Sequence, residues 1–296
     1  MNTKTKSYLY LHTAVFLFGF TGILGQIISL QASSLIWWRC IITSFLMLPL
    51  LIYYKSFRDI NFRSIKIFSG IGIILGMHWL CFYGSIKLAN ASVAMICLST
   101  ISVMTVFFEA LFNKQRIVKQ DMIIGMLVIP GILLINQSLR ADFKLGFWVG
   151  ILCSVFSAIV ASLNKKYMSS TSSLAITWIE ISIVAILFSI INGVDLIFFS
   201  QKECLPNSHD WFYLFILSFF CTLIPLTLAV KSMRNLSAFS TMLVFNLETV
   251  YGIILSIIIL KEHKELNWMF YIGVLIILSS VFAYPFFRKY KFLMLN

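Results

Sequence analysis

Four kinds of side chain in this sequence could do chemistry, and all stand in strongly apolar surroundings. In "GMHWLCFYGSIKLANASVAM", residues 76–95, the imidazole of His78 is followed by Trp79, Phe82 and Tyr83. On a helix His78 and Phe82 lie one turn apart, as do Trp79 and Tyr83. Such a wall suits a ligand with an apolar body and a polar end, with one titratable group to meet that end. The alternative is a neutral His bonded to a neighbouring helix. Glu248 stands inside "NLETVYGIILSIIILKEH", residues 246–263, with Thr241 seven residues earlier on the same helical face. It is read as binding a substrate amine or carrying a coupling proton, the alternative being an acceptor at a neighbouring helix break. Thr100 and Ser102, beside Ser99, supply hydroxyls, and Asn164 and Asn246 supply amides, to the same expected pocket. Arg39 in "WWRC" and Pro225 in "CTLIPLTLA" read as structural or gating residues. Arg39 is either fixed between helices or snorkels to an interface. Pro225 interrupts the backbone ladder and frees carbonyls to face a cavity or to bend a packed helix. Glu109 is expected to reach water or Lys114. Gln26, Asn136 and Gln137 read as amide bonds between helices.

The elements that position these groups must be membrane helices. The chain has 296 residues, 60% of them hydrophobic and 11% charged, with mean hydropathy +0.94. Soluble domains carry about 25% charged residues, so lipid is the expected solvent. A helix needs about 20 mostly apolar residues to cross the hydrocarbon. Ten stretches qualify: 8–29, 33–54, 67–86, 90–113, 122–139, 145–164, 173–199, 211–230, 236–260 and 267–287. The first follows Lys4 and Lys6 and has no small-residue cleavage site, so it is read as an uncleaved span. Barrel strands are excluded, because they would alternate apolar and polar residues. The net charge of +12 lies in short punctuation between spans rather than on one face, which argues against nucleic acid. With the N-terminus in the cytoplasm, 16 Lys and Arg fall inside and 6 outside, leaving Arg39 within a span. That bias predicts both termini in the cytoplasm of a bacterial inner membrane.

An internal echo divides the chain after the fifth span, giving units 1–139 and 140–296. A shift of 148 residues lays Gly125 on Gly273, Ser92 on Ser240 and Thr100 on Glu248. Five spans per unit is odd, so the second unit enters the membrane from the opposite side. Inverted repeats of this kind place a site near the midplane between the halves. The fold class expected is therefore an all-α integral membrane protein, ten transmembrane helices in two inverted five-helix repeats.

Three segments carry a family resemblance. "WWRC" places an aromatic and Arg39 early in the second span. "KLANASVAMI", residues 87–96, has a small-residue entry to the fourth. In the ninth, Glu248 and Glu262 stand where an L-E-P and a later L-G-E would put their acids. The sequence resembles the ten-span permeases of the drug/metabolite transporter superfamily, EamA type, over nearly its whole length. Thr249 departs from the Pro of that pattern, and Lys114 and Gln115 stand where the first half would carry its acid. The resemblance implies movement of small metabolites, often amino acids or amphiphilic compounds, through a central cavity lined by spans 1, 3, 4, 6, 8 and 9.

The six cysteines form no C-x-x-C pair and the four histidines have no ligand spacing. The chain also lacks G-x-x-x-x-G-K-[ST], H-E-x-x-H and G-x-S-x-G. No cofactor, metal or catalytic residue is expected, and the chain is read as no enzyme. The function expected is a secondary transporter exporting a small metabolite by alternating access. Its expected partners are that substrate, the lipid bilayer and protons as coupling ion, in a monomer or homodimer. A membrane-embedded enzyme, a channel or a scaffold is the alternative.

Overall fold

The computed structural model describes residues 2–117, 119–126, 128–168, 171–199 and 205–279. Among these, eight helical segments are long and apolar enough to cross a membrane. Two shorter apolar helices, Val128–Ser138 and Trp268–Ser279, stand where the fifth and tenth spans are expected. Eight of the ten expected spans are thus described over their length, and the fifth and tenth only in part, with residue 127 and residues from 280 on outside the described residues. The remainder of the tenth stretch, 280–287, lies outside the described residues, as do Lys202, Cys204 and the basic tail with Arg288, Lys289 and Lys291.

The helices run as follows. The first span is α1 (Thr3–Phe18) and α2 (Thr21–Ile27), the second α3 (Ala32–Tyr53) and the third α4 (Phe62–Leu88). The fourth is α5 (Ala91–Leu98) and α6 (Ile101–Asn113). Then come α7 (Lys119–Met126), α8 (Val128–Ser138), α9 (Lys144–Tyr167) and α10 (Ser173–Phe199). A π turn, Phe219–Leu223, joins α11 (Ser208–Ser218) to α12 (Ile224–Met233), and another, Ser256–Leu260, ends α13 (Ala238–Leu255). The last described helix is α14 (Trp268–Ser279). We call the side where α1 begins the near face and the opposite side the far face.

Large apolar side chains cover the outside, among them Phe45, Leu111, Trp148, Ile186 and Leu275. Water would not tolerate such a belt, and lipid requires it. The chain is an integral membrane protein. Inside the belt α4 lies along α9, α10 along α3 and α4, and α1 along α12 and α13, while α5 and α6 meet α9 and α13. On the far side of the bundle α8 and α14 touch backbone to backbone. A Cβ on Gly131 would stand 2.7 Å from the Gly273 carbonyl oxygen, and one on Gly273 would stand 2.8 Å from that of Gly131.

The breaks within spans are held by hydroxyls. Thr21 donates to the Phe18 carbonyl at 2.6 Å where α1 gives way to α2. Where α5 gives way to α6, Ser99 donates to the Ile96 carbonyl at 2.6 Å and Thr100 to that of Cys97 at 2.8 Å. Backbone groups freed in lipid need such partners, because no water reaches them.

Two helices start with every leading N–H occupied. At α5 the Asn90 side chain accepts from the Val93 N–H at 2.9 Å. The Glu262 carboxylate takes the Ala91 and Ser92 N–H groups at 3.0 and 2.9 Å and the Ser92 hydroxyl at 2.5 Å. At α13 the Ser237 side chain accepts from the Ser240 N–H at 3.0 Å. There Glu109 takes the Ala238 and Phe239 N–H groups at 3.2 and 2.9 Å. Each carboxylate sits at the positive end of the other span's helix, where an anion is stabilised by dipole and donors together. Glu109, half-buried, thus bonds the start of α13 rather than Lys114. The two N-caps, Asn90 and Ser237, are 147 residues apart, so the register of these spans is one residue shorter than the 148 shift.

Glu262→Ala removes the acceptor of three buried donors. It is expected to cost about 1–3 kcal/mol, read as a lower thermal unfolding midpoint in detergent. Glu265→Ala, which loses a single bond to Asn90, is expected to shift the midpoint less.

Candidate functional site

A cavity of about 90 Å³ lies between the spans. Its floor and walls are apolar, with the rings of Phe18, Trp79, Phe82 and Phe245 and the thioethers of Met233 and Met242. Arg39, His78, Asn164 and Glu248 enter it, with the hydroxyls of Thr21 and Ser157 also in the lining. The wall draws on spans 1, 3, 4, 6, 8 and 9, as the resemblance implies, and also on the second span through Arg39. It extends from Arg39, in the far-face half of α3, to Met233, the last residue of α12 at the near face.

Arg39 forms the head of this cavity. It is 1% exposed, which rules out snorkelling. Nε donates to the Thr222 hydroxyl and Nη1 to the Tyr83 hydroxyl, each at 2.6 Å, and Nη2 to the Cys221 carbonyl at 3.4 Å. The Trp79 ring lies under the guanidinium, 4.3 Å from its carbon. The last acceptor is a product of Pro225. An α-helix would bond residue 225 back to the carbonyl of residue 221, and a proline has no N–H to give. The preceding π turn, Phe219–Leu223, turns Thr222 and that carbonyl to the same side chain. Pro225 itself is not part of the cavity wall, so the carbonyl it frees goes to Arg39 rather than to open space.

The bonds to Arg39 are charge-assisted, at about 1.5–3 kcal/mol each, and a desolvated cation–π contact adds about 2 kcal/mol. Together they are of the size of the several kcal/mol needed to take one ion out of water. None of these partners is an anion, so the charge stays positive. Glu248 lines the same cavity, is 7% exposed and forms no hydrogen bond or ion pair among the described residues. A guanidinium and a carboxyl group thus line one largely apolar chamber without bonding each other.

His78 is half-buried, with Nδ1 3.0 Å from the Cys153 carbonyl oxygen. That contact fixes the ring, stacked at 6.5 Å on Phe82, with its remaining edge in the cavity wall. Both readings of His78 are therefore met at once: it bonds a neighbouring helix and lines the chamber. Asn164 enters the cavity with its Oδ1 unpartnered.

The other expected residues lie behind the wall. Tyr83 supports Arg39. Ser102 accepts from the Asn246 amide at 3.2 Å, tying α6 to α13. Thr100 serves the break between α5 and α6. The reason is register: in steps of 147, Ile101 and not Thr100 matches Glu248, and Leu98 matches Phe245; all four of these matched residues line the cavity and Thr100 does not. A slip of one residue turns a helical position by about 100°, enough to move Thr100 off the wall. Sequence reading missed Thr222 and the Cys221 carbonyl as partners of Arg39. Pro225, four residues after Cys221, was the available signal.

The sequence model of the EamA-like transporter family matches residues 5–137 and again residues 144–284. The chain belongs to the EamA-like transporter family. No curated protein matches it. Among solved structures, one crystal structure superposes with a TM-score of 0.68, covering 93% of this chain and 95% of the other at 12% identity. At that identity the likeness is one of fold. Membership makes this a membrane transporter, and the cavity is the place in this EamA-like protein where a substrate can be enclosed.

Tyr83→Phe takes one acceptor from the buried guanidinium. The expected cost is about 1.5–3 kcal/mol, measured as a drop in unfolding midpoint. Tyr213→Phe, whose ring meets His209 and Phe212 instead, serves as the control.

Proposed function

We propose that this EamA-like protein is a secondary transporter that exports a small amphiphilic metabolite, an amino acid with an apolar side chain being the best fit. The observation that carries this is a guanidinium and a carboxyl group lining one cavity. Arg39 has neutral partners and Glu248 has none, and apolar rings lie around them. A zwitterion with an apolar body would bring a carboxylate to the first, an amine to the second and its side chain to the rings. Ground-state binding then costs little, because the ligand's charges replace the water each group would otherwise need.

Alternating access of two inverted five-helix units, 1–139 and 140–296, is the mechanism we assign. The reciprocal caps support it: Glu109 belongs to the first unit and caps the second, and Glu262 does the reverse. Basic residues concentrated between spans on the near face support cytoplasmic termini in a bacterial inner membrane. The cavity runs down to Met233, the last residue of α12 on the near-face side, which fits loading from the cytoplasm.

The test compares the medium of cells expressing the wild type or Glu248→Gln at equal membrane levels, by untargeted mass spectrometry. One metabolite class, amino acids first, is expected outside only with the wild type. Counterflow of radiolabelled L-leucine and L-phenylalanine into proteoliposomes is expected to be lost in Glu248→Gln and weakened about tenfold in His78→Ala. Identical media together with no counterflow by the wild type would overturn the export reading.

A further inference from the structure

Glu180 has no part in the cavity just described. It lies in α10, is 0% exposed, and neither of its carboxyl oxygens finds a hydrogen-bond partner. Packing does not require an acid there. α10 meets α4 through backbone at this level, since a Cβ on Gly72 would stand 2.9 Å from the Glu180 carbonyl oxygen. The polar neighbour of the carboxyl is Asn164 of α9, the same amide that enters the cavity with its Oδ1 unpartnered. One polar side chain therefore separates the buried acid from the substrate chamber.

The elements packed on α10 are α3, α4, α12 and the short turn Ser56–Asp59, with α9 reaching it through Asn164. Arg234, which ends α12, donates to Ser173 at the start of α10 and to the Thr171 carbonyl, seven or more residues before Glu180. Lys165 and Lys166 of α9 donate to the Met233 and Phe112 carbonyls. Arg39 of α3 is committed to Tyr83 and Thr222, and it lies in the far-face half while Glu180 lies in the near-face half. His78 of α4 faces the Cys153 carbonyl, and Lys231 of α12 lies over the Tyr10 ring. Arg58, Arg63 and Lys66 are exposed at the near face, with Asp59 half-buried beside them. None of these groups forms an ion pair with Glu180.

A bare carboxylate taken out of water with no cation beside it costs several kcal/mol, whereas the neutral acid is tolerated. We propose that Glu180 is the proton-binding site of this transporter, loaded while the site is dry and emptied when water passes Asn164 from the cavity. Its role in a transport cycle rests on the export reading above; its binding of a proton does not. The device works by linkage. A wet conformation favours the ion and a dry one favours the acid, so the proton and the conformation bias each other by the same free energy. Glu248 is not equivalent to it, because Glu248 opens to the cavity and Glu180 is sealed from it by an amide.

Infrared difference spectroscopy of the purified protein in lipid nanodiscs, titrated with pH, reads the site directly. A carbonyl stretch of a protonated carboxyl that fades as pH rises is expected in the wild type and in Glu248→Gln. It should be absent in the isosteric Glu180→Gln and present, shifted, in Glu180→Asp. A band unchanged in Glu180→Gln would overturn the proposal. In proteoliposomes, Glu180→Gln is expected to keep counterflow of L-leucine or L-phenylalanine and to lose about tenfold or more of the acceleration by an imposed pH gradient. Full acceleration in that variant would equally overturn it. If the wild type moves neither amino acid, the transport reading fails, and the infrared band still decides whether Glu180 binds the proton.

Discussion

A polypeptide in hydrocarbon has no solvent for its backbone, and this one constraint organises the rest of the molecule. Every interruption of a helix must be answered from within the protein. The break after Phe18 is answered by Thr21, the break after Leu98 by Ser99 and Thr100, and the leading N–H groups of α5 and α13 by Glu262 and Glu109. The hydroxyls are thus not scattered polarity in greasy helices. They sit where the ladder fails, and the ladder fails where helices must part to leave space. The cavity exists between the same spans that carry these breaks.

The same logic explains how a guanidinium is kept in the membrane without an anion. Pro225 withholds a donor, the Cys221 carbonyl is released, and Arg39 takes it together with two hydroxyls and an indole face. Neutral acceptors stabilise the cation and leave its field intact. A carboxylate partner would have cancelled that field. Glu248, unbonded, offers a carboxyl group to the same space. An apolar lining lowers the local dielectric and lets the field of Arg39 act on whatever is enclosed.

Much of this was legible in the sequence, for definite reasons. Apolar run lengths gave the eight spans, because the bilayer sets them. Arg39, His78, Trp79, Asn164 and Glu248 could be picked as exceptions to apolarity, and all five line the cavity. Thr100, Ser102 and Asn246 were picked by the same rule and face other helices instead. Polarity marks a residue as needing a partner and does not say which partner. Thr100 shows a second limit: a repeat register inferred from sparse identities was off by one, and one residue on a helix is a different face. Glu109 shows a third. The expected acid of the first half is replaced by Gln115, and its task passes to a carboxylate six residues earlier. A function held by geometry can move along a helix without leaving a motif.

The contact between Gly131 and Gly273 reads the same from either side, each glycine meeting the other's carbonyl oxygen. A patch that meets its own likeness is the kind used between identical subunits related by a two-fold axis. A chain cut between the two matched regions would leave one of these glycines on each fragment, so this approach of α8 to α14 is a seam between the halves rather than within one.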